Sequence, residues 1–214
     1  MKRKIFLAML LIVALCQVSY AAIGDVFSDD VLTYKIIGVD EVEVSKPVNE
    51  NCTEIAVPSS VIDNGVTYRV TAIGKKAFYH CSSLVLVTLP EGLATIRDWA
   101  FYECYSLASI TFPKGLTTIG EYAFEHCYSL TSITLPEGLT TIGYQAFTYC
   151  VSLVSVTFPE TLTIIDDFAF DGCESLISVT LPASLISIGA DAFDGCIYNH
   201  RTTKTNQKYP SVNL

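Results

Sequence analysis

Apolar residues recur along most of this chain at a fixed step of 23 residues, and their pattern predicts short strands that stack on one another. The stretches FPKGLTTIGEYAFEHCYSLTSIT (112–134) and LPEGLTTIGYQAFTYCVSLVSVT (135–157) are identical at 14 of 23 positions without a gap. Further units begin at Leu89, Phe158 and Leu181. The chain is therefore a tandem array, and its architecture follows from the repeat.

Within each unit the apolar positions spell L-x-x-I-x-L, an alternation typical of a strand with one buried side. Further columns carry Leu, Ile, the pair Ala-Phe, and Cys. The proline that follows each strand cannot donate to a continuing ladder. These prolines are Pro90, Pro113, Pro136, Pro159 and Pro182. Each unit thus contains one strand, and the segment EYAFEHC predicts one turn of helix on the opposite side.

A unit of this size cannot bury its apolar face alone. Stacking successive units solves the problem, because each coil covers the next and equivalent side chains form continuous columns. Strands of neighbouring coils would then pair in parallel at about 4.8 Å. The repeat therefore predicts a solenoid with 23-residue coils.

The motifs L-x-x-I-x-LP, IG-x-x-AF and C-x-SL, recurring from about Ala56 to Cys196, resemble the BspA-like leucine-rich repeats of bacterial surface and secreted proteins. The resemblance implies a β-rich to α/β repeat protein, a right-handed leucine-rich repeat solenoid with a parallel β-sheet on one face and short helical turns on the other. For function it implies adhesion to host proteins or other surface components, since members of that family look like binders and not catalysts.

Outside the array the chain divides into three further segments. Residues 22–70 alternate apolar with polar residues around turn signals such as Asp63-Asn64-Gly65, so we expect a β-rich region that caps the first coil of a solenoid at 71–196. Residues 197–214 are polar and aperiodic, and are expected to be disordered or to lie loosely over the last coil. An uncovered last coil would instead favour self-association.

The N-terminus has the order of a secretory signal. A basic head, an apolar run from Ile5 to Val18 and small residues predict cleavage after Ala21. A lipid anchor on Cys16 is the alternative, but the bulky Leu15 stands where a small residue is preferred. The protein is expected to be secreted or held at the cell surface.

Charge limits the partners of the exported chain. Without residues 1–21 it carries 10 basic and 22 acidic residues, a formal charge of −12. Such a surface repels phosphate backbones, so no nucleic-acid partner is expected. No apolar run after residue 21 is long enough to span a membrane.

A ladder of cysteines follows the repeat, at Cys81, Cys104, Cys127, Cys150, Cys173 and Cys196. A metal site would require several ligands converging on one ion, and the 23-residue spacing does not predict one. Disulfides between adjacent coils are conceivable in an exported protein, but side chains of stacked equivalents point in parallel. The column is better explained by small buried thiols.

Two surfaces could bind a ligand. One is the row of hydroxyls facing out from the strands, at Ser109, Thr111, Ser132, Thr134, Ser155 and Thr157. The other is the aromatic group of Trp99, Tyr122 and Tyr144 on the opposite side. In each case the alternative is a structural role. The hydroxyls would then only keep an exposed strand surface hydrated, and the aromatic residues would pack between coils.

No enzymatic signature accompanies these residues, so neither a catalytic residue nor a cofactor is expected. The leading hypothesis is an exported, non-enzymatic protein that binds an extracellular host protein or glycan through an extended face. The alternatives are a solenoid that self-assembles through its C-terminal coil and, with less support, a hydrolase with an unrecognised site.

Overall fold

The computed structural model describes residues 21–197, which contain β-strands and no helix. The strands are β1 (Val26–Ser28), β2 (Leu32–Ile36), β3 (Glu41–Pro47), β4 (Glu54–Ala56), β5 (Ser60–Asp63), β6 (Val66–Ile73), β7 (Leu86–Thr88), β8 (Thr95–Ile96), β9 (Ser109–Thr111), β10 (Thr118–Ile119), β11 (Ser132–Thr134), β12 (Thr141–Ile142), β13 (Ser155–Thr157), β14 (Ile164–Ile165) and β15 (Ser187–Ile188). Most of the predicted signal segment, residues 1–20 with Cys16, and the tail from residue 198 lie outside the described residues.

Most coils of the solenoid contribute two short strands. The first has the sequence Ser-Ile-Thr or a close variant, with its central residue buried and its outer residues exposed. The second is Thr-Ile or a variant of it. Its Ile119 pairs in parallel with Ile96 on one side and Ile142 on the other. Equivalent residues are therefore stacked directly, and each apolar column is continuous.

The parallel strands confirm the solenoid, but they form more than one sheet. The Thr-Ile strands join the N-terminal strands in a ten-stranded sheet, in the order β1-β2-β3-β6-β8-β10-β12-β14-β15 with β5 beside β6. The Ser-Ile-Thr strands form two smaller sheets, β4-β7-β9 and β11-β13. The prediction of a sheet on one face thus missed the longer ladder, because two residues are too few for an alternating pattern to show.

The N-terminal strands continue the ten-stranded sheet past the first coil. β1, β2 and β3 are antiparallel, and β3 then pairs in parallel with β6. The hairpin β5–β6 turns at Asn64 and Gly65, whose φ values of 47° and 82° are the positive angles that such a tight turn requires. The parallel pairing of the small sheet β4-β7-β9 begins at β4, where Glu54–Ala56 pair in register with Leu86–Thr88.

The prediction of short helical turns opposite the sheet is wrong. Two residues of each coil there have positive φ, for example Tyr122 at 56° and His126 at 61°. A left-handed residue ends an α-helical run, and the chain forms successive tight turns instead. The amide of Phe124 donates to the carbonyl of Ala146 in the next coil (2.8 Å), whereas the amide of Cys127 donates to the carbonyl of Phe124 in its own coil (3.2 Å). The turn side is thus a third hydrogen-bonded ladder between coils.

The core is a stack of columns inside these ladders. Within the coils its largest members are the phenylalanines of the Ala-Phe motif, which are stacked ring on ring along the solenoid. Neighbouring ring centroids are 5.0–5.3 Å apart, with interplanar angles of 2–9°. The rings are Phe78, Phe101, Phe124, Phe147, Phe170 and Phe193. Columns of Leu, Ile and Cys fill the space around them.

Candidate functional site

The hydroxyl rows predicted from the sequence do face solvent. Ser132 and Thr134 on β11 pair in register with Ser155 and Thr157 on β13, and all four are exposed while the residues between them are buried. Ser109 and Thr111 on β9 have the same orientation. We call these six residues the S-x-T face. They are exposed because strand alternation sends the flanking side chains outward when the central Ile or Val enters the core.

The hydroxyls of the S-x-T face make no hydrogen bond within residues 21–197, unlike several hydroxyls elsewhere in the solenoid. Elsewhere Thr117, Ser129 and Thr163 donate to backbone carbonyls of the preceding coil at 3.2, 2.8 and 3.0 Å. Those hydroxyls join one coil to the next. The hydroxyls of the S-x-T face remain available to a ligand as both donors and acceptors.

The S-x-T face is not one uninterrupted surface. β9 belongs to one small sheet and β11 to the other, so the rows of Ser109 and Ser132 are not joined by strand pairing. Toward the C-terminus the rows end, because residues 178–180 form no strand. The best ordered part is therefore the patch of β11 and β13.

The aromatic residues singled out from the sequence form a ladder of their own. Trp99 and Tyr122 stack with centroids 5.1 Å apart, and Tyr144 meets Tyr122 edge on at 5.2 Å. On the other side of Trp99, the Nζ of Lys75 lies 4.5 Å from the ring centroid. All three aromatic residues are half-buried. Their ring faces are used between coils, so that ring edges and polar atoms are what a ligand could reach.

A cluster of two carboxylates and two imidazoles, which sequence reasoning did not single out as a site, lies beside this ladder. Glu103 accepts a hydrogen bond from the Tyr105 hydroxyl, and its Oε2 is 2.9 Å from Nδ1 of His80. The Tyr105 bond is the main reason that the pKa of Glu103 is lowered. In the next coil, Glu125 is only 8% exposed.

The environment of Glu125 favours its neutral form. Burial, with a smaller effect of the negative charge of Glu103, raises the pKa of Glu125 to about 7. Oε1 of Glu125 lies 3.4 Å from Nε2 of His126, whose pKa burial lowers. Near neutral pH the Glu125 carboxyl group is thus partly protonated, whereas the neutral form of His126 is favoured. The equivalent positions of other coils are Tyr79, Tyr102, Thr148, Asp171 and Asp194, so the repeat pattern alone does not show that this carboxyl group is buried.

Comparison with known proteins now assigns the repeat. The model of the BspA type leucine rich repeat region (6 copies) matches residues 49–173 and 140–211. This chain belongs to the BspA-type leucine-rich repeat family. The resemblance of its motifs to that family is confirmed. No curated protein matches the chain.

Several solved structures share the BspA-type solenoid. A leucine rich cell surface protein from Faecalibacterium prausnitzii A2-165 is 28% identical, and the match covers 80% of this chain and 52% of that one with a TM-score of 0.65. The leucine rich repeat protein of T. pallidum is 30% identical over 81% of this chain and 90% of its own, with a TM-score of 0.66. A leucine-rich repeat protein from Eubacterium ventriosum ATCC 27560, 23% identical with a TM-score of 0.56, shares the fold.

These comparisons limit what is transferred to this BspA-type protein. The chain spans about half the length of the Faecalibacterium protein, 52% by coverage. A repeat family of the bacterial surface type indicates a binding or structural role, and such repeats are typically non-enzymatic. Residues 21–197 contain no helix that could cross a membrane.

The cysteine column of the BspA-type repeat is structural in this chain. All seven cysteines of the described residues are unpaired, and those from Cys81 to Cys173 are buried. Each thiol from Cys104 onward donates to the carbonyl of the phenylalanine of the preceding coil, as Cys127 does to Phe101 at 3.3 Å. No group of three or more His, Cys, Asp or Glu in residues 21–197 could hold a metal ion.

The thiols should therefore react in two classes. Burial raises the pKa of the inner thiols, that of Cys81 to about 12, so they are protonated and shielded at neutral pH. A thiol reagent should modify Cys52 and Cys196, which are only half-buried, in the native protein. Unfolding without reductant should expose the remaining five. Mass spectrometry of the alkylated peptides checks this, and an inner thiol that resists alkylation after unfolding would contradict it.

Proposed function

We propose that this protein is an exported, non-catalytic binding protein of the bacterial surface, and that its S-x-T face holds an extended host protein or glycan. The observation that carries the proposal is the state of the hydroxyls. They are exposed, aligned in rows and without a hydrogen bond among residues 21–197, whereas the hydroxyls of Thr117 and Thr163 bond to the backbone. A relative described as a cell surface protein supports the location.

The geometry of the rows favours a repetitive ligand. Parallel strands place equivalent hydroxyls about 4.8 Å apart, and each residue of an S-x-T unit lies on the same side as its partner two positions on. A glycan or an extended polypeptide presents hydrogen-bonding groups at similar intervals. Affinity would then be the sum of many weak contacts and not the result of one deep pocket.

Trp99, Tyr122 and Tyr144 form the second proposed contact surface. Aromatic residues within a polar rim are favoured in protein interfaces. Because the faces of these rings already contact each other and Lys75, we expect the residues to contribute mainly through edges and hydroxyl groups. The S-x-T face is therefore the primary binding surface.

Binding of the purified protein to an array of extracellular matrix proteins and glycans tests this function. The double variant Ser132→Arg, Thr134→Arg should abolish binding to the ligand found, because two long cationic side chains cover the best ordered patch. Ser132→Ala with Thr134→Ala should weaken it by removing the hydrogen bonds alone. Thr140→Arg, at an exposed position between β11 and β12, is the control. Unchanged binding by both double variants would refute the S-x-T face.

A second candidate function is self-assembly through the last coil. β15 (Ser187–Ile188) is the terminal strand of the ten-stranded sheet, and Ile177, Ile186 and Ile197 are 56–66% exposed in the surrounding coil. The outer edge of β15, which pairs with no further strand of residues 21–197, lies beside these exposed apolar residues and can pair with a second copy. Light scattering should then show a mass that rises with concentration and falls in Ile186→Lys. A monomer at high concentration would exclude this role.

A further inference from the structure

A groove of about 410 Å³ lies where the N-terminal strands meet the first coils of the solenoid. β2 and β3 form one side, and the ends of β8 and β10 form the other. Its volume falls in the range of about 300–1,000 Å³ typical of sites for small molecules. The lining residues are Lys35, Ile37, Glu43, Lys75, Thr95, Ile96, Arg97, Asp98, Thr118 and Gly120.

The groove has more cations than carboxylates, whereas the rest of the protein is acidic. Of the 13 lysines and arginines in the chain, seven lie within residues 21–197, together with all 22 acidic residues. Three of those seven cations line the groove, but only two of the carboxylates do. On an otherwise strongly acidic surface this is a local positive site, and it would attract an anion.

Two of the cations break the internal repeat. Where Arg97 stands, the equivalent positions of the other coils are Gly74, Gly120, Gly143, Asp166 and Gly189. Lys75 is likewise the only cation of its column, whose other members are Asp98, Glu121, Tyr144, Asp167 and Ala190. The coil does not need these side chains for its fold, since neighbouring coils form without them. Both Lys75 and Arg97 line this groove.

The cations of the groove are positioned by neighbouring side chains and retain unused hydrogen-bond donors. Nε of Arg97 lies 2.7 Å from Oε2 of Glu43, a residue only 9% exposed, and this ion pair holds the guanidinium close to β3. Within residues 21–197 the Nη groups of Arg97 make no hydrogen bond or ion pair, and Lys35 makes no ion pair. Lys75 is steadied by Asp98 at 3.6 Å and by the Trp99 ring. A site organised before binding loses little entropy on binding.

We propose that this groove binds an acidic sugar, with Arg97, Lys35 and Lys75 surrounding its carboxylate or sulfate group. The free edge of the Arg97 guanidinium suits the paired oxygens of such a group. The side chains of Thr95 and Thr118 are placed to bond to sugar hydroxyls. Ile37 and Ile96 are the two isoleucines of the lining, and they form no pocket for a large apolar side chain. This favours a sugar over a peptide. This site is separate from the S-x-T face and does not depend on it.

Isothermal titration of the purified full chain with defined probes tests the site. 3′-Sialyllactose supplies a carboxylate and glucose 6-sulfate a sulfate, and either should bind at low salt with an affinity that falls as salt is added. Neutral lactose should bind at least about tenfold more weakly, the effect of a lost ionic contact of about 1.4 kcal/mol. Inorganic sulfate and tri-glutamate complete the set.

Two variants and a control assign the binding to the groove. Arg97→Gly restores the residue common at this position of the repeat, and Lys35→Gln removes an exposed cation without leaving a buried partner. Each should weaken binding of the acidic sugar about tenfold or more, with the thermal unfolding of Lys35→Gln unchanged. Lys114→Gln, exposed elsewhere, should bind normally. Equal binding of lactose, equal binding of inorganic sulfate or tri-glutamate, or normal binding by Lys35→Gln would each overturn the proposal.

Discussion

Phe124→Ala should destabilise the protein by about 3–5 kcal/mol, the cost of truncating a fully buried aromatic residue. The ring is stacked between Phe101 at 5.0 Å and Phe147 at 5.2 Å, and it also meets the edge of Phe112 at 5.6 Å. Removing it opens a cavity in the middle of the phenylalanine column. Because a solenoid is stabilised by contacts between neighbouring coils, the loss weakens both interfaces of that coil.

Phe147→Ala is the matched control for this variant. Phe147 has the same burial and two similar stacking partners, Phe124 and Phe170, but its neighbour in the strand column is Leu135 and not a ring. We expect Phe124→Ala to cost more, by the roughly 0.5–1.5 kcal/mol that an aromatic pair adds to area burial. Urea unfolding followed by circular dichroism measures both. Near-normal stability of Phe124→Ala would contradict a packed column.

Glu125→Gln should stabilise the protein by about 2–3 kcal/mol at pH 8 and by nothing below about pH 4.5. Burial raises the pKa of Glu125 from its usual 4.5 to about 7 in the folded state, so folding opposes ionisation of this carboxyl group. The difference of 2.5 pKa units corresponds to at most about 3.4 kcal/mol. The stabilisation present below pH 4.5 is lost as pH rises through about 7. Glutamine keeps the size and remains neutral throughout.

The pH dependence distinguishes this effect from a general gain in packing. The free energy of unfolding of both proteins should be measured by urea unfolding from pH 4 to 8, with the difference growing mainly between pH 4.5 and 7. Glu137→Gln, an exposed carboxyl group on the solenoid, is the control and should show no such pH-dependent gain. A constant difference across this range would mean that Glu125 ionises as freely in the folded chain as in the unfolded one.

Much of the fold followed from the repeat, and the failures have identifiable causes. The predicted strand at Ser132–Thr134 forms, and its central Ile133 enters the core, because alternation specifies which side of a strand is apolar. The helical turn predicted for EYAFEHC does not form. Its apolar positions suited a helix, but Tyr122 and His126 adopt left-handed φ values so that alternate amides bond to the next coil. Tertiary hydrogen bonding overrode local propensity here.

The candidate sites divide in the same way. Exposure of the S-x-T face could be predicted, since it depends only on alternation within a strand. Packing of the aromatic residues between coils was one of the two expectations, but which ring faces are covered could not be predicted, because that depends on how close two coils lie. The burial of Glu125 was also hidden, since an exposed and a buried glutamate look alike in the repeat.

By itself the sequence determined the family, the tandem array and the assignment of the apolar columns to the core. These follow from periodicity, because residues one repeat apart occupy equivalent environments. Only the tertiary structure decided the ten-stranded sheet, the hydrogen-bonded tight turns in place of helical turns, and the groove at Arg97. Each of these depends on contacts between segments with no shared period, as between Glu43 on β3 and Arg97 after β8. A pattern along the chain reports what repeats, and those contacts occur once.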